Sequence, residues 1–171
     1  LLCCDRVAGR VARREPAAAQ VAIGRLQDEY PHDDLLPALR QLAVQLDAPA
    51  DATVDGDALL LRRAVGNLLD NALDFSPPAG RIEVSLAVQR RSAEIAVRDH
   101  GPGIPDYADE RVFEKFYSLA RPGTNKKSTG LGLPFVKEIA ELHHGRVTLR
   151  NREGGGAVAT LSLPRIEPPP A

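Results

Sequence analysis

Gly66-Asn67-Leu68-Leu69-Asp70-Asn71-Ala72-Leu73-Asp74-Phe75-Ser76 puts two asparagines one helical turn apart inside a run of helical periodicity. The run starts earlier, where Asp55-Gly56-Asp57 reads as a turn and an N-cap, because an Asp side chain accepts hydrogen bonds from the unpaired N–H groups of a first turn. A helix from Ala58 to about Phe75 follows. On its wheel Leu61, Val65, Leu68, Ala72 and Phe75 fall on one side, while Asn67, Asp70, Asn71 and Asp74 share the other within an arc of roughly 100°. One face packs and the other is left for chemistry. Asn71 can give a side-chain oxygen to Mg2+, a hard cation that takes oxygen ligands and keeps several waters while bridging phosphates. A solvated helix surface would carry the same pair, so the residues downstream decide between the two.

Two glycine-rich segments lie there, Asp99-His100-Gly101-Pro102-Gly103-Ile104 and Ser128-Thr129-Gly130-Leu131-Gly132-Leu133. Asp99 closes a strand, where a carboxylate can accept the exocyclic amine of adenine, and glycine without a Cβ lets a base approach the backbone. A turn with an Asp cap is the plainer alternative. The second segment opens a helix, whose N–H groups and positive dipole end can cradle phosphates; alone, G-x-G equally describes a hinge. A polar helix face, an acid beside a tight glycine turn and a glycine run opening a helix together describe a pocket for ATP.

Around these motifs the chain divides simply. Leu1 to Glu15 carries Leu2, Val7 and Val11 among arginines and stops at Pro16; Ala17 to Gln41 is broken by Pro31 and Pro37 into helical pieces. Leu42 to Leu46 alternates like a strand. After Pro77-Pro78-Ala79-Gly80, the residues Ile82, Val84, Leu86 and Val88, then Ile95 and Val97, alternate as a hairpin across Arg90-Arg91-Ser92. Gly101 to Gly130 reads as a long, partly mobile loop with one apolar cluster, Val112, Phe113, Phe116 and Tyr117. Gly132 to His143 reads as a second helix, and Val147-Thr148-Leu149 with Ala157 to Leu163 as a closing hairpin across Glu153-Gly154-Gly155-Gly156. The expected organisation is a remnant of an upstream helical region at 1–30, a domain at 31–165 and a disordered tail at 166–171.

Composition sets limits on function. The chain has 171 residues, 43% hydrophobic and 26% charged, with a formal charge of −1, so no overall basic field favours nucleic acid. No apolar run approaches the roughly 18 residues of a membrane span, and a soluble piece that does not itself bind membrane is expected. Cys3 and Cys4 are adjacent, poor geometry for a disulfide framework. The absence of methionine and of a signal-peptide pattern points to a fragment of something longer.

The order of helices and antiparallel strand pairs gives an α+β two-layer sandwich, with a mixed, mainly antiparallel sheet and helices on one face. Neither glycine run fits the dinucleotide pattern G-x-G-x-x-G after a strand.

As an ordered set these segments resemble the Bergerat ATP-binding (GHKL) fold of sensor histidine kinases, gyrase-type topoisomerases, MutL-type mismatch-repair proteins and Hsp90-type chaperones. Asn67 to Ser76 looks like the N box, Asp99 to Gly103 the G1 box, Val112 to Tyr117 the F box and Ser128 to Leu133 the G2 box. Hydrolytic members carry a glutamate general base where this chain has Asn67, as histidine kinases do, and an amide cannot take a proton from water. Gly66 to Pro77, Ile104-Pro105-Asp106-Tyr107, Phe113 to Leu119 and Gly145 to Asn151 resemble CreC-type sensor kinases more closely. One departure from the broader pattern is Asp74, where many histidine kinases place a Lys or Arg; it could reach Mg2+ through water or be a solvated helix residue.

The resemblance implies a protein-histidine kinase whose catalytic residues are Asn67, Asn71 and Lys115. Asp99 would select adenine, Asn71 would bind Mg2+, Asn67 would support the phosphates, and Gly101, Gly103, Gly130 and Gly132 would give backbone access. Ile104, Phe113, Tyr117, Ser128, Thr129, Leu131 and Leu133 would line the ATP site, with Phe113 to Thr129 as its lid. Lys115, Arg121, Lys126 or Lys127 would neutralise phosphate in place of a base at position 74. His32, before Asp33-Asp34-Leu35-Leu36-Pro37, only echoes a phosphoacceptor motif and reads as a surface residue, so the acceptor would lie on a dimerisation domain outside this chain. His143 and His144 read as helix-end caps. The implied partners are that upstream domain and a response-regulator receiver, in a homodimeric bacterial inner-membrane sensor with this domain in the cytoplasm. The alternatives are a degenerate nucleotide-binding or docking module, a Bergerat ATPase, or an anti-sigma-type serine kinase.

Overall fold

Asp57 begins the first long element as expected. Its Oδ1 accepts hydrogen bonds from the N–H groups of Leu59 at 2.8 Å and Leu60 at 3.0 Å, and helix α1 runs Ala58–Phe75. The computed structural model describes residues 43–47 (backbone path), 52–77, 80–109, 111–120 and 129–166. Expectations for residues 1–42, for the tail beyond 166 and for Arg121, Lys126, Lys127 and Ser128 of the lid lie outside the described residues.

Strand β1 (Ala43–Asp47) precedes α1; β2 (Arg81–Val88) and β3 (Ser92–Arg98) follow it; helix α2 (Gly132–Leu142) leads into β4 (Arg146–Asn151) and β5 (Ala157–Pro164). The sheet order is β1-β2-β3-β5-β4. All neighbouring pairs are antiparallel except β1 and β2, which run parallel with Val44 opposite Ile82. A parallel pair cannot be closed by a tight turn, and α1 is the long crossover between those strands. The mixed, mainly antiparallel sheet is therefore as expected.

Alternate residues of the strands face one way. Ile82 and Val84, Val97, Leu161 and Leu163, and Val147 and Leu149 meet Ala64, Leu68 and Ala72 of α1 and Val136, Ile139 and Ala140 of α2 in a single core. Leu68, Ile82, Leu161, Val97 and Val136 are its largest fully buried side chains. Each such side chain contributes about 1.5–3 kcal/mol of transfer free energy. The other sheet face is polar: Arg98 Nη1 donates to Ser85 Oγ at 2.7 Å, and Ser162 Oγ donates to Glu94 Oε1 at 3.4 Å. Both helices thus cover one face.

One expectation changes. Within Gly101 to Gly130, residues 101–109 and 111–120 carry two single 3-10 turns, Asp106–Ala108 and Arg111–Phe113, over a small second core of Ile104, Ala108, Val112 and Ala157. Three-residue turns are too short to leave a periodicity. The second helix ends in the histidine caps expected for it, and one of them does more. His143, buried beneath the N-terminus of α1, donates from Nδ1 to the Ile139 carbonyl at 2.7 Å and accepts the Asp57 N–H at Nε2, 3.0 Å away. It ties the end of one helix to the start of the other as a neutral imidazole. His144 takes φ +56, with its N–H on the Glu141 carbonyl and the Gly145 N–H on the Ala140 carbonyl at 2.7 Å. That is a Schellman motif with histidine in the position glycine usually holds.

Candidate functional site

A cavity of about 300 Å³ opens between α1, the start of α2 and the loop after β3. That is the lower end of the range for ligand pockets. The polar face of α1 supplies Asn67, Asp70, Asn71 and Asp74, as its wheel predicts, and Leu68 and Ala72 complete one wall. Gly132 begins α2 across the opening, where a Cβ would lie 3.7 Å from Asn67 Oδ1.

Asp99 is built in from β3. Its N–H donates to the Ala157 carbonyl at 3.0 Å, continuing the β3–β5 ladder by one residue. Its Oδ1 accepts two backbone donors, the N–H of Gly101 at 2.8 Å and that of Ala157 at 3.1 Å, while the residue is only 8% exposed. Oδ2 has no protein partner among the described residues, and Asp99 lines the cavity. A buried carboxylate with one oxygen saturated and the other presented to a pocket is an acceptor for one N–H group.

The glycines of this loop have a cause the sequence did not disclose. A Cβ on Gly101 would collide with the carbonyl of Phe75 at the end of α1, and one on Gly103, at φ +80, would sit 2.6 Å from Asn151 Oδ1. The chain's own atoms occupy the space that the missing side chains leave. Gly130, at φ +66, is similar: a Cβ there would lie 2.6 Å from the Phe116 carbonyl carbon. The Phe116 N–H donates to the Gly130 carbonyl at 2.9 Å. That bond pinches together the two ends of the segment expected to be a lid.

The start of α2 has no side-chain cap, and Pro134 in its first turn has no N–H to satisfy. The N–H groups of Gly132 and Leu133 are left at a helix N-terminus on the cavity wall, an arrangement that attracts anions.

The expected site residues do not all converge. Asn67, Asn71, Asp74, Asp99, Gly103, Ile104, Tyr117, Thr129, Gly130, Gly132 and Leu133 line the cavity, whereas Gly101, Phe113, Lys115 and Leu131 do not. Gly101 shapes the wall from behind through Asp99. Phe113 packs against the second core, Tyr117 lies under the Arg111 guanidinium at 4.3 Å, and Phe116 is 78% exposed. Lys115 Nζ is held 2.7 Å from Glu138 Oε1 on α2. Of the apolar floor, Val112 belongs to the expected F box, whereas Val97, Leu149 and Ala159 were not singled out from sequence, since these strand residues carry the same alternation as the core. Ser118 and Leu119 follow Tyr117 on the wall; from sequence they belonged to the stretch Phe113 to Leu119 and to the lid but were not named as site residues.

Side-chain oxygens of Asn67, Asp70, Asn71 and Asp74 on one wall suit a hydrated hard cation, which needs few protein ligands when phosphates share it. Among the described residues there is no group of three or more His, Cys, Asp or Glu that could hold a metal unaided.

A two-layer sandwich with an acid after its third strand, an amide-bearing helix face and an uncapped helix start around one cavity defines a nucleotide-binding domain of the Bergerat type. The chain belongs to the family of histidine kinase-, DNA gyrase B- and HSP90-like ATPases, whose model matches residues 56–167. It is 50% identical over 117 residues to the sensor protein CreC of Escherichia coli K12, covering 68% of this chain and 24% of CreC. It is 39% identical over 133 residues to the sensor histidine kinase TmoS of Ectopseudomonas mendocina, covering 75% of this chain and 14% of TmoS. The chain thus spans a quarter or less of either relative. Among solved structures, the mycobacterial sensor histidine kinase MprB superposes with a TM-score of 0.66 at 27% identity, over 94% of this chain and 93% of that one. The ATP-binding domain of PrrB from Mycobacterium tuberculosis gives 0.61 at 31% identity, over 77% and 88%.

Proposed function

We propose that this chain is the catalytic domain of a two-component sensor histidine kinase. It binds Mg-ATP and passes the γ-phosphoryl to a histidine on a dimerisation domain outside this chain, for relay to a response-regulator aspartate. The observation that carries the proposal is Asp99, buried with Oδ2 free at a cavity whose opposite wall holds Asn67 and Asn71. Asp99 accepts the adenine amine. Asn71 would hold Mg2+ and Asn67 would support the phosphates, with Asp74 adding a carboxylate to the same wall. The metal would neutralise charge on the β- and γ-phosphates; the remaining work is positioning, since phosphoryl transfer needs little covalent help from protein. Gly132 and Leu133 offer backbone N–H groups to phosphate, and Tyr117 and Ile104 flank the base. Lys115 would reach phosphate only when its pair with Glu138 opens; otherwise Lys126, Lys127 and Ser128 of the lid serve. An amide at Asn67 cannot act as the base for water, which favours transfer to a protein over hydrolysis.

The catalytic domain would span residues 31–165; β1, upstream of the family match, already pairs with β2 in the sheet. In the full protein it would sit in the cytoplasm beneath an inner-membrane sensor that dimerises. No helix among the described residues is long and apolar enough to cross a membrane. Calorimetry with a non-hydrolysable ATP analogue tests the first step. Binding that strengthens with Mg2+ is expected, and a folded chain that binds no nucleotide contradicts the proposal.

A further inference from the structure

The turn between β4 and β5 reaches across to the loop after β3 at both of its ends. Asn151, the last residue of β4, makes a paired contact with the Ile104 peptide: Oδ1 accepts the Ile104 N–H at 2.6 Å and Nδ2 donates to the Ile104 carbonyl at 2.8 Å. A side-chain amide here pairs with a peptide as a neighbouring strand would. Arg152 holds the other end, its Nη1 donating to the Asp99 carbonyl at 2.7 Å. Gly156, in the same turn, lies so close to that carbonyl that any Cβ would strike it. Between the two clamps the stretch 99–104 has little freedom left.

We infer that Asn151 and Arg152 are positioning residues for base recognition: by fixing the peptides at Ile104 and Asp99, they aim Asp99 Oδ2 at the adenine amine. Neither side chain lines the cavity, so each acts through Asp99 and Ile104, which do. The inference rests on the cavity being an ATP site. Without the Asn151 pair, Ile104 and Gly103 are free to shift, and Gly101, whose N–H holds Asp99 Oδ1, shifts with them. The carboxylate then loses its set rotation. Phosphate-side contacts, on α1 and the start of α2, are untouched.

The phenotype is therefore a change in selectivity. Mg-ATP and Mg-ITP differ at the purine 6-position, an amine in one and a carbonyl oxygen in the other, so their affinity ratio reads the Asp99 contact. Calorimetry on the native chain, Asn151→Ala and Arg152→Ala gives that ratio. Asn151 is exposed, so its truncation opens no core cavity; Arg152→Ala removes the other clamp independently. In each variant ATP affinity is expected to fall about tenfold, the scale of one or two lost hydrogen bonds, with ITP affinity changed less than about twofold. A purely structural lesion would weaken both nucleotides alike. Equal losses for ATP and ITP, or no loss for ATP in either variant, overturn the inference while leaving the ATP site standing. A native chain that binds neither nucleotide overturns both.

Discussion

Asp99→Asn exchanges one oxygen for an NH2 at constant shape, and the structure dictates which one. Oδ1 faces two backbone donors, Gly101 N–H at 2.8 Å and Ala157 N–H at 3.1 Å. An amide placed with its nitrogen there would set donors against donors, so the asparagine must keep its oxygen on those two groups and turn Nδ2 into the cavity. The fold is kept at the cost of the charge-assisted part of two hydrogen bonds, on the order of 1 kcal/mol, or about 2–4 °C in Tm. Recognition is reversed. The adenine amine loses a charged acceptor and meets a donor, which costs about 1.5–3 kcal/mol, or roughly 10- to 150-fold in Mg-ATP affinity. Hypoxanthine carries an oxygen at the same position, and Nδ2 can donate to it. The prediction is therefore an inverted preference, with Asp99→Asn binding Mg-ITP more tightly than Mg-ATP. Calorimetry with both nucleotides measures it, and circular dichroism confirms folding. A folded variant that binds ATP as the native chain does, or loses both nucleotides equally, refutes the assignment of Asp99 to the base.

Glu138→Gln releases Lys115 from its 2.7 Å pair; both side chains are well exposed, so the pair is worth only about 0.2–1 kcal/mol and the expected rise in Mg-ATP affinity by calorimetry is no more than a few-fold. A fall in affinity would mean that Glu138, not Lys115, serves the site. His144→Gly relieves a left-handed residue at φ +56 that has no glycine freedom, and thermal melting should show about 1 kcal/mol of added stability, or roughly 2–4 °C. An unchanged or lower Tm would show that the imidazole makes up for the backbone strain.

The helix and its two faces were legible because a cap, a period and a change of chemistry coincide between Asp57 and Phe75. The acid at Asp99 and the glycine run at Gly130 were legible as local signals. What the sequence withheld is what only distant pairing creates. The parallel register of β1 on β2 leaves no trace in the alternation of either strand. Asn151 reads as a polar strand end until Ile104, 47 residues away in sequence, is placed beside it. His143 looks like a helix-end imidazole until Asp57, from the start of the other helix, arrives at its Nε2. The glycines at 101 and 103 suggested room for a ligand, and the carbonyl of Phe75 and the amide of Asn151 fill that room instead. Lys115 carried a charge of the right sign near the right motif, but Glu138 on α2 was the nearer partner.

The central claim is phosphoryl transfer from ATP to a protein histidine. It is tested most directly by mixing this chain with the histidine-bearing domain of its parent protein, γ-labelled ATP and Mg2+. The account predicts label on that domain that is acid-labile and base-stable, and that disappears with Asn71→Ala. Acid-stable label on serine or threonine, or free phosphate released with no labelled protein, would contradict it.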